Sequence, residues 1–250
     1  TGCGEIKRAG DVGSAVGGKG ADTLTYAQGA DPRGLDPAFV DDGESAKVIV
    51  NIYDTLLNYD EDSCDLKPGL AREYDVSDDG LTYTFTLQEG VKFHDGTDCD
   101  AEAVKASIER QLEPARTEDM PYASFVYGSK DAGNGIASIE AKDATTLVIT
   151  LRAASTPFLK NMAMALAAPV AAPSAFESGE ANEKPVGSGP YKFVSWTKGD
   201  SVVLEANEDY WDKDNKPQTK NVIFRIIAEN ASRVTALNNG EVDMIDGIDA

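Results

Sequence analysis

The sequence predicts an α+β fold, mixed in its use of helices and strands, whose sheets are largely antiparallel or mixed. Three observations carry that reading. Residues 81–88 alternate strictly, with Leu81, Tyr83, Phe85 and Leu87 set against Thr82, Thr84, Thr86 and Gln88, the period-two pattern of a half-buried strand. The stretch "IASIEAKDATTLVITL" repeats the alternation on both sides of a turn at Lys142–Thr145, as a hairpin does, with Leu147, Ile149 and Leu151 on one face. Strands then come in clusters with helices between them and no regular strand–helix–strand repeat, which argues against a wholly parallel sheet.

In chain order, residues 1–22 read as a flexible linker, because glycine and small polar residues bury too little apolar area to offset the entropy of ordering them. Structure is expected from Thr23, where Leu24 and Tyr26 begin a short strand. A loop carrying Pro32 and Pro37 follows. From Glu44 to Leu57 the residues Val48, Ile49, Ile52, Tyr53 and Leu56 recur at three and four, predicting a helix with one buried face. Val91 and Phe93 continue the strand alternation past Gly90, and "HDG" turns the chain. Asp100 is placed to cap the next helix, whose Val104, Ile108 and Leu112 share one side. After Pro157 an apolar helix is predicted from Phe158 to Leu166. Strands resume at 190–196, 202–206 and 222–227, with the glycines of "VGSGPY" supplying an unusual turn into the first. Asn230 is expected to cap a last helix that Gly240 ends.

Composition narrows the function. With 250 residues, 43 acidic and 23 basic, the net charge of −20 repels phosphates and anionic lipid, so nucleic acid is not an expected partner. No run of about 18 apolar residues exists to cross a bilayer. The three cysteines lack metal-ligand spacing. Cys3, in "TGCG" ahead of the Gly-rich run, reads either as the lipid-bearing first residue of a bacterial lipoprotein or as a surface cysteine in a loose terminus. Cys64 and Cys99 form an even pair that an oxidising compartment could join.

Sites of chemistry were tested against the residues they require. "VGSGPYKF" fails the dinucleotide fingerprint, since Lys192 replaces the third glycine and Pro190 has no amide hydrogen to offer a phosphate. "GSAVGGKG", residues 13–20, has Gly20 where a nucleotide loop needs Ser or Thr to hold magnesium. "DVSDDG", 75–80, begins like a calcium loop but carries Thr86 at the twelfth position. His94 stands alone as a histidine, which favours a structural role over a metal or base role. No nucleophile elbow is present, and the many carboxylates nominate no catalytic pair. The expectation is a non-enzyme without catalytic residues, metal or cofactor.

Two stretches resemble the extracytoplasmic solute-binding proteins of family 5, the oligopeptide- and dipeptide-binding components of ABC importers. The first is 35–110: "LDP", then "P-x-LA" as Pro68, Leu70 and Ala71, then "DGLTYTFTL" and "VKFHDG" with the helix after it. The second holds "VGSGPYKF", "LEANEDYW" and "ALNNGEVDMIDG". Gln88 and "DCDAEAV" depart from the family pattern at positions expected to affect packing and surface only. The resemblance implies a periplasmic-binding-protein-like class II clamp. Residues 23–53 plus 186–250 would form a discontinuous first-lobe domain and 54–185 an inserted subdomain, with the second lobe missing beyond Ala250. Tyr191, Phe193 and Trp196 would then pack in the first-lobe core. The family holds an extended peptide by its main chain. Carried over by position, Asp41, Asp42, Gly43, Tyr122, Asp246 and Gly247 are the implied ligand contacts, each with a plainer reading as turn or packing residue.

The implied protein is an extracytoplasmic, monomeric subunit, either anchored to the membrane only through a lipid on Cys3 or periplasmic. It would hand peptides to the transmembrane subunits of an ABC permease. The alternatives are a same-fold binder of a nickel complex, sugar or haem, and a ligand-sensing receptor; a hydrolase would need a carboxylate pair that the sequence does not nominate.

Overall fold

A computed structural model describes residues 22–247. Cys3 and nearly all of the linker expected over 1–22 lie outside the described residues. The elements are β1 (Thr23–Gln28), α1 (Gly43–Ile52), β2 (Leu57–Tyr59), β3 (Leu66–Pro68), β4 (Ala71–Val76), β5 (Thr82–Leu87), α2 (Ala101–Glu109), α3 (Ala123–Tyr127) and β6 (Ile136–Asp143). They continue with β7 (Thr146–Leu151), α4 (Phe158–Asn161), α5 (Pro173–Glu177), β8 (Tyr191–Thr197), β9 (Ser201–Ala206), β10 (Asn221–Ile226), α6 (Asn230–Asn238) and β11 (Met244–Ile245). Three sheets result: β11-β1-β10-β9-β8, β4-β5-β7-β6 and the β2-β3 ribbon.

The four-stranded sheet is antiparallel throughout, as the alternation in 81–88 and 136–151 requires. Its face buries Tyr83, Phe85, Leu87, Leu147, Ile149 and Leu151 against α2, whose Asp100 caps the helix by accepting from the Ala103 N–H at 2.9 Å. Each fully buried side chain of this size contributes roughly 1.5–3 kcal/mol. The five-stranded sheet is mixed. β8, β9 and β10 run antiparallel, but β1 lies parallel to both β10 and β11, with Tyr26 opposite Phe224 on one side and Met244 on the other. A second core under this sheet joins Leu35, Val48, Ile49, Ile52 and Tyr53 to Tyr191, Val202, Leu204, Val222 and Phe224. Phe193 and Trp196 pack partly buried on its edge.

Several expectations need correction. α1 stops at Ile52, not Leu57, because Tyr53 turns extended and residues 54–56 spend their carbonyls on segments outside the helix: Val170 N–H donates to Asp54, Leu70 N–H to Thr55 and Ala71 N–H to Leu56. The helix after Pro157 is four residues, ending at Asn161, and the chain then turns through 162–169. Glu229, not Asn230, stands at the N-cap of α6, and it makes no side-chain cap bond; Gly240 (φ 70°) follows the C-cap as expected. The Cys64–Cys99 disulfide is not formed. Cys99 is buried in the larger core, whereas Cys64 sits in the β2–β3 turn with φ 56°.

Gly187 and Gly189 also work differently from the expected turn. Neither has positive φ. They are small because the backbone of 187–189 lies directly on the end of α1: a Cβ on Gly187 would sit 2.2 Å from Ile52 O, and one on Gly189 2.6 Å from Ile52 C. Gly189 N–H donates to Ile52 O at 2.9 Å. Around this crossing, Asp54 accepts from Ser188 Oγ (2.9 Å), Tyr210 Oη (2.9 Å) and Trp211 Nε1 (2.8 Å), while Asn207 Nδ2 donates to Gly189 O at 3.1 Å. His94 closes the seam, its backbone N–H on Gly187 O and its Nε2 2.9 Å from Gly189 O.

Burial moves the His94 imidazole from its ordinary 6.5 down to about 4, against the opposing pull of the Gly189 hydrogen bond and the nearby Asp54 and Asp95. The unfolded chain therefore binds this proton first as pH falls. Stability is expected to be full above pH 6.5 and to decline toward pH 4, by on the order of 3 kcal/mol from this residue. Denaturant titrations of wild type and His94→Asn across that range check it, the variant showing a flatter profile. Gly189→Ala is expected to lose about 1–3 kcal/mol through overpacking, read in the same titration.

Candidate functional site

The 41–43 loop is shaped by helix capping. Asp42 is the N-cap of α1, its carboxylate accepting from Ser45 N–H (2.8 Å) and Ser45 Oγ (2.7 Å), which supplies an acceptor for an otherwise unpaired helix donor. Ser45 Oγ in turn accepts from Arg33 N–H at 2.9 Å. Asp41 pairs with Arg33 at 2.6 Å on the exposed surface. Nothing lies within 4 Å of a Cβ placed on Gly43, so this position faces open space while Ser45 and Ala46 beside it are buried.

Asp246 reaches the same place from the other end of the chain. β11 pairs beside β1, and Asp243 locks the register by accepting from Thr25 N–H and donating its own N–H to Thr25 O, both at 2.8 Å. Asp246 then ion-pairs with Lys47, one turn into α1, and Lys47 is shared with Glu44 at 2.6 Å. The Tyr26 phenol joins this cluster; burial first, then the Asp246 carboxylate, raises its pKa well above the ordinary tyrosine range. Arg233 of α6 fixes the segment's backbone, donating to the carbonyls of Ile227 (2.7 Å), Ala228 (2.9 Å), Asp246 (3.2 Å) and Gly247 (3.2 Å). Gly247 has φ 62°, the left-handed conformation that glycine adopts without strain.

The Leu35–Asp36–Pro37 turn ahead of this loop is held by the inserted segment. Asp36 receives both terminal nitrogens of Arg110 at 2.7 Å and also accepts from Ala38 N–H at 3.0 Å. Tyr53 Oη donates to Leu35 O, Ala167 N–H to Pro37 O, and Asn182 contributes its side-chain and backbone oxygens to Leu35 N–H. The Arg110 guanidinium lies 4.5 Å from the Phe176 ring centroid. Tyr122 stands apart. It is half-buried at the start of α3, packed against the larger core, and among the described residues no hydrogen bond or ion pair joins it to the other predicted contacts.

Of the six expected contacts, Asp41, Asp42, Gly43 and Asp246–Gly247 therefore border one ion-paired cluster, and Tyr122 does not. Sequence reading passed over Tyr26, Lys47, Arg110 and Arg233. Glu44 and Lys47, three apart on a helix, were open to inference. The Lys47–Asp246 pair spans 199 residues and left no local signal.

Three comparisons bear on this geometry. The model of the bacterial extracellular solute-binding proteins, family 5 Middle, matches residues 65–250. The glutathione-binding protein GsiB of Escherichia coli O1:K1 / APEC is 36% identical over 223 residues, 88% of this chain and 41% of that protein. The chain thus spans less than half the length of the curated relatives it matches. Among solved structures, the periplasmic binding protein DppA from Helicobacter pylori, in complex with the peptide STSA, superposes with TM-score 0.80 at 34% identity. It covers 90% of this chain and 46% of that one. AgaA of A. tumefacien R10, in complex with agropinic acid, does so with TM-score 0.80 at 31% identity, covering 90% and 44%.

The two ion pairs around the loop are expected to differ sharply in worth. Arg110 and Asp36 are almost wholly buried, at 11% and 4% side-chain exposure, so Arg110→Met should cost about 3–5 kcal/mol by stranding the carboxylate. Arg33 is 69% exposed, and Arg33→Ala should cost less than about 1 kcal/mol. Paired urea unfolding curves distinguish the two.

Proposed function

Because the chain belongs to the bacterial extracellular solute-binding proteins of family 5, we propose that it is lobe-forming sequence of a clamp that captures di- or oligopeptides outside the cytoplasm and delivers them to an ABC permease. Residues 23–53 plus 186–250 act as the first-lobe domain and 54–185 as the subdomain inserted in it. The observation that carries this reading is the convergence of the 41–43 loop and Asp246–Gly247 on one end of the five-stranded sheet. The separate cores beneath the two larger sheets support the division into units.

An extended peptide offers N–H and C=O groups at every residue, and a sequence-tolerant site answers with its own main chain. Gly43 begins a helix whose first N–H groups lack intrahelical acceptors, and Gly247 follows the short parallel strand β11. The side chain of Asp42 is engaged in capping, so its part is to hold the loop's shape; Asp41, Gly43, Asp246 and Gly247 present the contacting groups. Tyr122 supplies an aromatic contact from the inserted unit. The site binds its solute without altering it. Cys3 carries the lipid that tethers a monomeric subunit to the membrane. A non-peptide solute is the second reading, favoured by the likeness to a binding protein solved with agropinic acid.

Native mass spectrometry of the complete protein, purified without denaturation, separates the two readings. A ladder of bound peptide masses is expected. A single non-peptide mass would replace the peptide assignment with the second reading, and peptides that fail to bind in a titration would end it.

A further inference from the structure

A cleft of about 340 Å³ opens between the end of α2, the 128–135 loop and the edge strand β6, and it shares no lining residue with the site described above. Three cations line it: Arg116, Lys130 and Arg152. None of them makes a salt bridge among the described residues, although Glu113 lies near enough to Arg116 to act on it electrostatically. Arg116 donates Nε to Gln111 O (2.7 Å) and Nη2 to Gly128 O (2.8 Å) and Ala123 O (3.4 Å), so Nη1 is the nitrogen left to face the cleft. Partial burial of this guanidinium lowers its pKa, with Glu113 opposing.

The rest of the lining limits what fits. Leu112, Ile136 and Ile139 give the cleft an apolar side, suited to an organic tail. Glu109 and Glu113 also line it and repel a second negative charge. The wall is preformed. Gly128 (φ 75°) and Gly135 (φ 95°) touch so closely that a Cβ on Gly128 would lie 2.4 Å from Gly135 Cα, and Asn134 Oδ1 accepts from Ser129 N–H at 3.0 Å. A rigid wall reduces the ordering cost of binding.

We propose that this cleft is a second binding site, for a small organic monocarboxylate. The planar guanidinium fork of Arg152 matches a carboxylate in two parallel hydrogen bonds, Arg116 Nη1 and Lys130 add positive charge beside it, and the apolar side takes the tail. Its ligand is chosen by one carboxylate and a short hydrocarbon, independently of whatever the peptide site accepts.

The test uses the 15N-labelled chain and two probes that share the isopentyl tail, isocaproate and isoamylamine, with inorganic phosphate as a third. Isocaproate is expected to give saturable shifts of the Gly128, Ser129, Gly135 and Ile136 amides, and isoamylamine none there. Arg152→Glu and Lys130→Glu, both at exposed positions and checked by circular dichroism, should weaken isocaproate by about tenfold or more. The proposal is overturned if isocaproate gives no saturable shift, if isoamylamine shifts the same amides equally, or if the charge reversals leave binding unchanged. Phosphate binding as tightly as isocaproate would overturn the organic-carboxylate assignment.

Discussion

The structure depends on one close crossing of backbones. Residues 187–189 lie against Ile52–Tyr53 with no room for a Cβ, and the carboxylate of Asp54 gathers three donors from Ser188, Tyr210 and Trp211 at the same point. The crossing ends α1, starts β8, and anchors the Asn207–Trp211 turn after β9. A buried carboxylate is tolerable only when its lone pairs are met, and this one is met from both sides of the seam. His94, neutral and half-buried, adds the contact from the segment between α1 and β8.

Topology follows from that seam. The chain leaves the five-stranded sheet after β1, builds the antiparallel sheet with α2, and returns at β8, so that β1 meets β10 and β11 in parallel register. Parallel neighbours need a long crossover, and here most of the described chain is that crossover. The return places Asp246 on Lys47 and lets Arg233 bind four carbonyls along 227–247. The Asp36–Arg110 pair then ties the loop entering α1 to the inserted segment, and both the sheet and α2 position the candidate site.

Much of this was legible where a local pattern decided it. The alternation of 81–88 became β5, the turn near Lys142–Thr145 became the β6–β7 turn, and Asp100 became a cap. The misses share a cause. Tyr53 and Leu56 continue a helical period, yet Tyr53 turns extended and the carbonyls of 54–56 are taken by Val170, Leu70 and Ala71, so tertiary hydrogen bonds outweighed propensity. Likewise, Phe158, Met162 and Ala163 are apolar because they fill the larger core, and burial alone does not specify helix.

The residue pattern by itself determined the kinds of elements, the α+β class, the unsuitability of the glycine-rich stretches for phosphate, and the resemblance on which the functional reading rests. Those properties are set by neighbours within a few residues or by ordered motifs along the chain. Only the tertiary structure decided that Gly187 and Gly189 serve proximity instead of a turn, that Cys64 and Cys99 stay apart, that Asp246 meets Lys47, and that three cations share one cleft. Each of these is a contact between segments remote in sequence, and such a contact acquires its energy only after both segments have been brought to the same place.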